Sequence, residues 1–483
     1  MTDAYRLACD AHWKNDRKTL KSCIMNSEAY ITSHRDDFES RFFDVVRFPS
    51  VSAVEAHRGD VRHTAEWFRN QFVQMGLHAE LIETEGHPLV FAEYMPPTAT
   101  ETTPTLLIYG HYDVQPPDPL ELWHSPPFEP TIRNGNVYAR GVTDDKGQFL
   151  THVFAVEAIL KTHHSLPCNI KFLVEGEEEI GSASLEKFLH TDEGKRNLSC
   201  DCIVVSDTSQ FAAGQPTITY GLRGIVGLEL FLTGPNRDLH SGTLGGTVFN
   251  PAMALTKILS QFIDGNGVVQ IPQFYDDVIP LTERERSQFA ALPFDETRFF
   301  SDIGLASGFG EKGFSTNERR WARPTFDING ITSGYQGEGS KTIIPSKASA
   351  KFTCRLVPNQ DPIKIASAIR SYIAGLIPSG ITWELVVQHG APGLSLDLDT
   401  CRFVEPMAKA LETTFGKKPV FVRGGGSIPI VAEFHHVLNA DVLLVGWGQD
   451  DDAPHSPNEK FSLTSFHNGI LASARFLEQI GTK

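Results

Sequence analysis

From about residue 58 the apolar positions alternate between a 3.6-residue and a two-residue period, which predicts helices and strands in turn. An amphipathic stretch from Val61 to Met75 stops at Gly76, and HAELIE, LVFAEYM and TLLIYG then read as strands. GQFLTHVFAVEAILKT carries Phe149, Val153, Phe154, Val156 and Leu160 at near-helical spacing, ahead of the β-branched and aromatic run NIKFLVE. SASLEKFLH and CDCIVVSD supply another helix and another buried strand. This rhythm predicts an α/β domain with a mostly parallel central sheet flanked by helices. Such sheets gather their functional groups at the carboxyl ends of the strands.

Between about residues 223 and 394 the order changes. GIVGLELFLTG reads as strand, NPAMALTKILSQFI as helix, TFDINGI and KASAKFTCRLV as strands, DPIKIASAIRSYIAGL as helix and ITWELVVQ as strand. A βαββαβ order is that of a ferredoxin-like α+β module. The α/β rhythm resumes at TCRFVEPMAKALETTFG, PVFVR, IPIVAEFHHVL and DVLLVGWG, so the module reads as an insertion and a candidate lid. The expected division is an N-terminal helical extension over 1–35, a catalytic domain over 36–222 and 395–483, and the inserted domain over 223–394.

The chain of 483 residues exceeds a usual single domain, and 41% hydrophobic with 21% charged residues is ordinary globular composition. Its 43 Lys+Arg against 59 Asp+Glu give a net charge of −16, which repels phosphate backbones and anionic membranes. Neither nucleic acid nor membrane is an expected partner. The opening MTDAYRLACDAHWKNDRKTLKS has no apolar run, so a cytoplasmic location is expected. Seven scattered cysteines without a CxxC pair read as reduced, mostly buried thiols.

Acids and histidines recur where the strands end. TLLIYG runs into His111 and Asp113, VYARGVTD into Asp144 and Asp145, IKFLVEG into Glu178 and Glu179, CIVVSD into Asp207, and LLVGWGQDDDAP leads to His455. Each alone also fits a turn or capping residue. Together on one sheet edge they make a ligand set of carboxylate and imidazole, which suits Zn²⁺ at about 2.0–2.2 Å, whereas Ca²⁺ favours oxygen alone.

In sequence order, GHYDVQP, RGVTDDKGQ, EGEEEIGS, VVSD, DLHSG, RLVPNQDP, GGGSIP and PHSPNE resemble the motifs of the dinuclear zinc peptidase family of carnosine-type cytosolic dipeptidases, carboxypeptidase G and the acetylornithine and succinyl-diaminopimelate deacylases. The resemblance covers nearly the whole chain after about residue 35 and is closest to the dipeptidase branch. It implies a phosphorylase/hydrolase-like catalytic domain with an inserted lid and dimerisation domain, and two divalent cations, zinc with manganese or cobalt as alternatives. His111 and Asp207 then serve one cation, Glu179 and His455 the other, and Asp144 bridges them. Asp113 orients the His111 imidazole, and the Asp144–Asp145 peptide is often cis in this family.

Charge counting extends this reading. Two Zn²⁺ are balanced by Asp144, Glu179, Asp207 and a bridging hydroxide, which leaves Glu178 free to act as general base and acid. Glu177 reads as a solvated loop charge. The resemblance also implies that Arg355 grips the substrate carboxylate, with an ordinary surface ion pair as its alternative. Gly425, Gly426 and Ser427 would form an anion pocket at the start of a helix, Thr342 would be similarly placed, and His240 would reach the partner's site in a homodimer to stabilise the oxyanion. Gly424 departs from the pattern, in which Glu precedes the GGS element. The expected activity is hydrolysis of the amide bond of dipeptides or short peptides with a free C-terminal carboxylate. N-acyl amino acid deacylation by the same chemistry is the alternative, and an inactive metal- or ligand-binding relative is a third reading.

Overall fold

The structure is a computed structural model that describes residues 26–481. The part of the expected N-terminal extension before residue 26, with Cys9 and Cys23, lies outside the described residues; the part inside begins with the helix Ser27–Ser33, capped by the Asn26 side chain. Two compact units divide the chain. The first comprises the chain up to Ile218, Thr400–Val420 and the stretch from Val437, and the second comprises Thr219–Asp399 and Phe421–His436. The second unit thus includes the GGGSIP stretch, which the expected division had put with residues 395–483.

In the first unit the strands lie in the order His78–Ile82, Leu89–Tyr94, Asn169–Glu175, Thr105–His111, Cys202–Val205 and Asp441–Leu444. The last four pair in parallel, with His111 opposite Glu175 and Val205 opposite both Tyr109 and Leu444. The first two join them antiparallel. Four parallel strands have four carboxyl ends on one edge, and every expected ligand stands there, His111 as the last residue of its strand and the others in the loops that leave that edge. Leu107, Phe172, Leu173, Val205 and Leu444 are fully buried, as expected for strands covered on both faces. Helix Arg58–Met75 ends where Gly76 takes the left-handed conformation at φ 90°, closing the helix as its sequence predicts. Among the described residues no helix is long and apolar enough to cross a membrane.

In the second unit the strand order is Thr325–Ser333, Lys347–Leu356, Gly224–Thr233 and Thr382–Ala391, antiparallel throughout. Numbered along the chain this order is 2-3-1-4, the ferredoxin-like arrangement that the βαββαβ pattern predicts. Helices Pro251–Leu259 and Pro362–Leu376 cover one face through Leu255, Ile258, Ile369 and Ile373, packed against Leu228, Leu230, Ala350 and Phe352. The first of these helices is shorter than its apolar pattern: after Leu259 the chain turns, and Phe262 stays in the core from a non-helical position.

Candidate metal centre and substrate-contact residues

Asp144 stands at the middle of the first unit's acidic cluster. One of its oxygens is 3.0 Å from His111 Nε2 and the other 2.9 Å from His455 Nε2, which is also 3.2 Å from Glu179 Oε2. Ligand atoms of His111, Asp144 and Asp207 lie within 4.8 Å of one another, and so do those of Asp144, Glu179 and His455. The five residues expected as ligands therefore form two triads that share Asp144. The Asp144–Asp145 peptide is cis.

The electrostatics fit a cation pair. Burial pushes Asp207 up to about 7, with the Asp144 charge adding to it, and burial raises Glu178 well above the usual carboxylate range, with Asp207, Asp144 and Glu179 also opposing its charge. Hydrogen bonds to Asp144 and Glu179 lift His455 to about 10. Burial works against a charged His111, but its hydrogen bonds to Asp113 and Asp144 outweigh that and raise it. So dense a group of buried acids, balanced by imidazoles that must draw protons to do it, is better balanced by divalent cations.

Around the triads, backbone and side-chain contacts hold the loops. Asp113, fully buried, accepts the N–H of Glu178 at 3.2 Å and of Glu179 at 3.1 Å, one on each oxygen. Its own carbonyl is 3.1 Å from His111 Nδ1 and its carboxylate 3.4 Å. The Asp113 carboxylate therefore holds the Glu178–Glu179 turn first, and shares the orienting of His111 with its own backbone. Gln115 Nε2 donates to Glu179 Oε2 at 2.8 Å.

Glu177 is not the solvated charge that its sequence suggests. It is buried, and accepts the N–H of His87 at 2.7 Å and of Ser184 at 3.0 Å. A Cβ at Gly86 would lie 1.5 Å from Glu177 Oε1, so only glycine admits this approach. Sequence reasoning also missed Glu459, which receives the backbone of the Asp144 turn, although the motif PHSPNE contains it. The missed hairpin Thr131–Arg133 and Asn136–Tyr138 was signalled by Asn134-Gly135, both at positive φ.

The second unit contains the remaining candidates. Arg355 donates from Nη1 to Ser427 Oγ at 2.9 Å rather than to a surface acid, and Ser427 Oγ donates to the Arg223 carbonyl. Arg223 Nε donates to the Gly425 carbonyl at 2.8 Å and its N–H to the Gly426 carbonyl at 3.2 Å, so this arginine, unmarked in the sequence, shapes the glycine loop. Gly426 has open space where a Cβ would stand, and the helix begins only at Pro429. His240 pairs with Ile343 in a two-residue ladder, and Ser241 N–H donates to the Thr342 carbonyl at 3.0 Å, which brings Thr342 beside it. His240 is exposed, and its Nδ1 accepts from Gly242 N–H at 3.0 Å, which assigns the proton of the neutral ring to Nε2 as a free donor. Arg423 and Tyr220 both bond to Glu285, beside the side-chain-free Gly424. Of the cysteines described, Cys168, Cys202, Cys354 and Cys401 are buried and Cys200 is half-buried, all as free thiols.

Paired carboxylate and imidazole clusters at the carboxyl edge of a parallel sheet, with an added α+β unit, define a metal-dependent α/β hydrolase. The chain belongs to peptidase family M20/M25/M40, whose model matches residues 107–479. It is similar to the Cys-Gly metallodipeptidase dug1 of Schizosaccharomyces pombe, 32% identical over 94% of this chain and 97% of that protein. It is 30% identical to the Beta-Ala-His dipeptidase of Homo sapiens, over 93% of this chain and 91% of the relative. Among solved structures it resembles the M20 family metallo-carboxypeptidase Sso-CP2 from Sulfolobus solfataricus. The TM-score is 0.81 with 31% identity, over 92% of this chain and 99% of the other.

Proposed function

We propose that this metallopeptidase cleaves the amide bond of dipeptides or short peptides with a free C-terminal carboxylate, with His111, Asp144, Glu179, Asp207 and His455 holding two divalent cations. The observation that carries the reading is Asp144, one carboxylate common to two ligand triads, with Glu178 beside them and in neither. The Cys-Gly and Beta-Ala-His dipeptidases among its relatives support the substrate class. Bound cations supply Lewis-acid activation of the scissile carbonyl and of water. Glu178 takes the proton released in the attack and returns it to the leaving nitrogen. Asp113 fixes the backbone on which Glu178 rides. Arg355 and Ser427, with Gly426 and Thr342, take the substrate's carboxylate, and His240 donates to the oxyanion from the partner subunit of a homodimer formed by the second unit. Zinc is the expected ion, with manganese and cobalt as alternatives, and the cytoplasm the expected compartment.

N-acyl amino acid deacylation by the same chemistry is the second reading, because Gly424 departs from the dipeptidase pattern in which Glu precedes the GGS element. Chelated protein, reloaded with zinc, manganese or cobalt and assayed on a panel of dipeptides and N-acyl amino acids, separates the two. Dipeptide turnover that is lost on chelation and restored by cation supports the proposal. Turnover undiminished in metal-free protein would refute it, and exclusive use of N-acyl substrates would favour the second reading.

A further inference from the structure

Glu459 is completely buried, four residues beyond His455 and at the entrance to strand Lys460–Ser462. That strand pairs antiparallel with Asn136–Tyr138, which carries the carboxylate to the turn ending in Asp144. Oε1 accepts the N–H of Thr143 at 2.9 Å and of Asp144 at 3.2 Å. Oε2 accepts the N–H of Gly141 at 2.9 Å and Nη1 of the buried Arg140 at 2.8 Å. Gly141 has φ 83°, a conformation that lets neighbouring N–H groups converge on one anion.

Asp452 makes a second fastening. Its Oδ2 accepts the Gln449 N–H at 2.7 Å and the Thr143 hydroxyl at 3.2 Å, and its Oδ1 is 3.2 Å from Lys460 Nζ. Both ends of the loop that carries His455 are thus tied to the turn that carries Asp144. His455 needs such ties, because its side chain is 55% exposed and sits on a residue with φ 60°. Packing alone does not hold it.

We infer that Glu459 is a positioning residue which, with Asp452, clamps the His455 loop to the Asp144 turn and so sets the spacing of these two ligands. The inference rests on the reading of Asp144 and His455 as cation ligands. In E459Q the amide nitrogen replaces one oxygen and points a donor at two donors, so two of the four bonds are lost whichever way the amide faces. The side-chain volume hardly changes.

The test measures zinc affinity of stripped full-length protein by competition with a chromogenic chelator, alongside dipeptide turnover against zinc concentration. Wild type should bind two equivalents. E459Q should bind one equivalent about 10–100-fold more weakly, with turnover recovering as zinc is raised. The control is E157Q, which alters another buried carboxylate of the same unit, 2.7 Å from Arg41, and should leave zinc affinity unchanged. Wild-type affinity in E459Q, or an equal loss in E157Q, would overturn the inference. Should E459Q fail to fold, D452N replaces it: weaker binding supports the clamp and unchanged binding refutes it. Failure of the ligand reading itself would show differently, as wild type that binds no zinc.

Discussion

Asp113→Asn removes one charged oxygen from a fully buried site without opening a cavity. In the wild type each oxygen accepts one backbone N–H, from Glu178 at 3.2 Å and Glu179 at 3.1 Å. The amide can accept only one of these, and it sets its NH₂ against the other N–H. Hydrogen bonds to charged groups contribute about 1.5–3 kcal/mol, and an unsatisfied buried donor costs about 1–3 kcal/mol. The turn can escape most of that cost by shifting, which moves Glu179 away from His455 and Glu178 away from the reacting atoms. A loss of about 10–100-fold in cation affinity and in kcat/KM follows, about 1.4–2.8 kcal/mol, within the strain available. Steady-state kinetics on a dipeptide and a zinc competition titration read the two effects together. Both values within about twofold of wild type would refute the role given to the Asp113 carboxylate.

Two further predictions concern the second unit. Arg355→Ala should lower kcat/KM on a free-carboxylate substrate about as much as amidating that carboxylate does, with little further loss on the amide; additive losses would remove Arg355 from carboxylate capture. His240→Ala and Glu178→Ala subunits, each nearly inactive, should recover to roughly a quarter of wild-type activity after random reassociation, because a mixed dimer then holds one site with neither defect. No recovery with mixed dimers present would place His240 in its own chain's site or outside catalysis.

Much of this architecture was legible because periodicity is local. The Asn169–Glu175 strand and the helix Lys146–His163 follow the apolar pattern within a residue, and parallel pairing then brings His111, Glu178, Glu179 and Asp207 to one edge. What the pattern could not carry was closure between distant segments. Glu177 reads as one more loop acid until His87, 90 positions away, donates to it together with the nearby Ser184. Glu459 contacts Asp144 across 315 positions, and Arg223 meets Gly425 across 202, separations at which no sequence period exists. The Phe262 position misled for the opposite reason: it is apolar at helical spacing and buried, but reaches the core after the helix has ended.

The division of labour between Glu178 and the cation ligands is the centre of the account, and Glu178→Ala tests it most directly when metal content and rate are measured on the same preparation. The account predicts two bound cations per chain and turnover lower by about 10²–10⁴-fold, the usual contribution of a general acid–base group. A variant that binds only one cation, or that turns over at the wild-type rate with both in place, would contradict it.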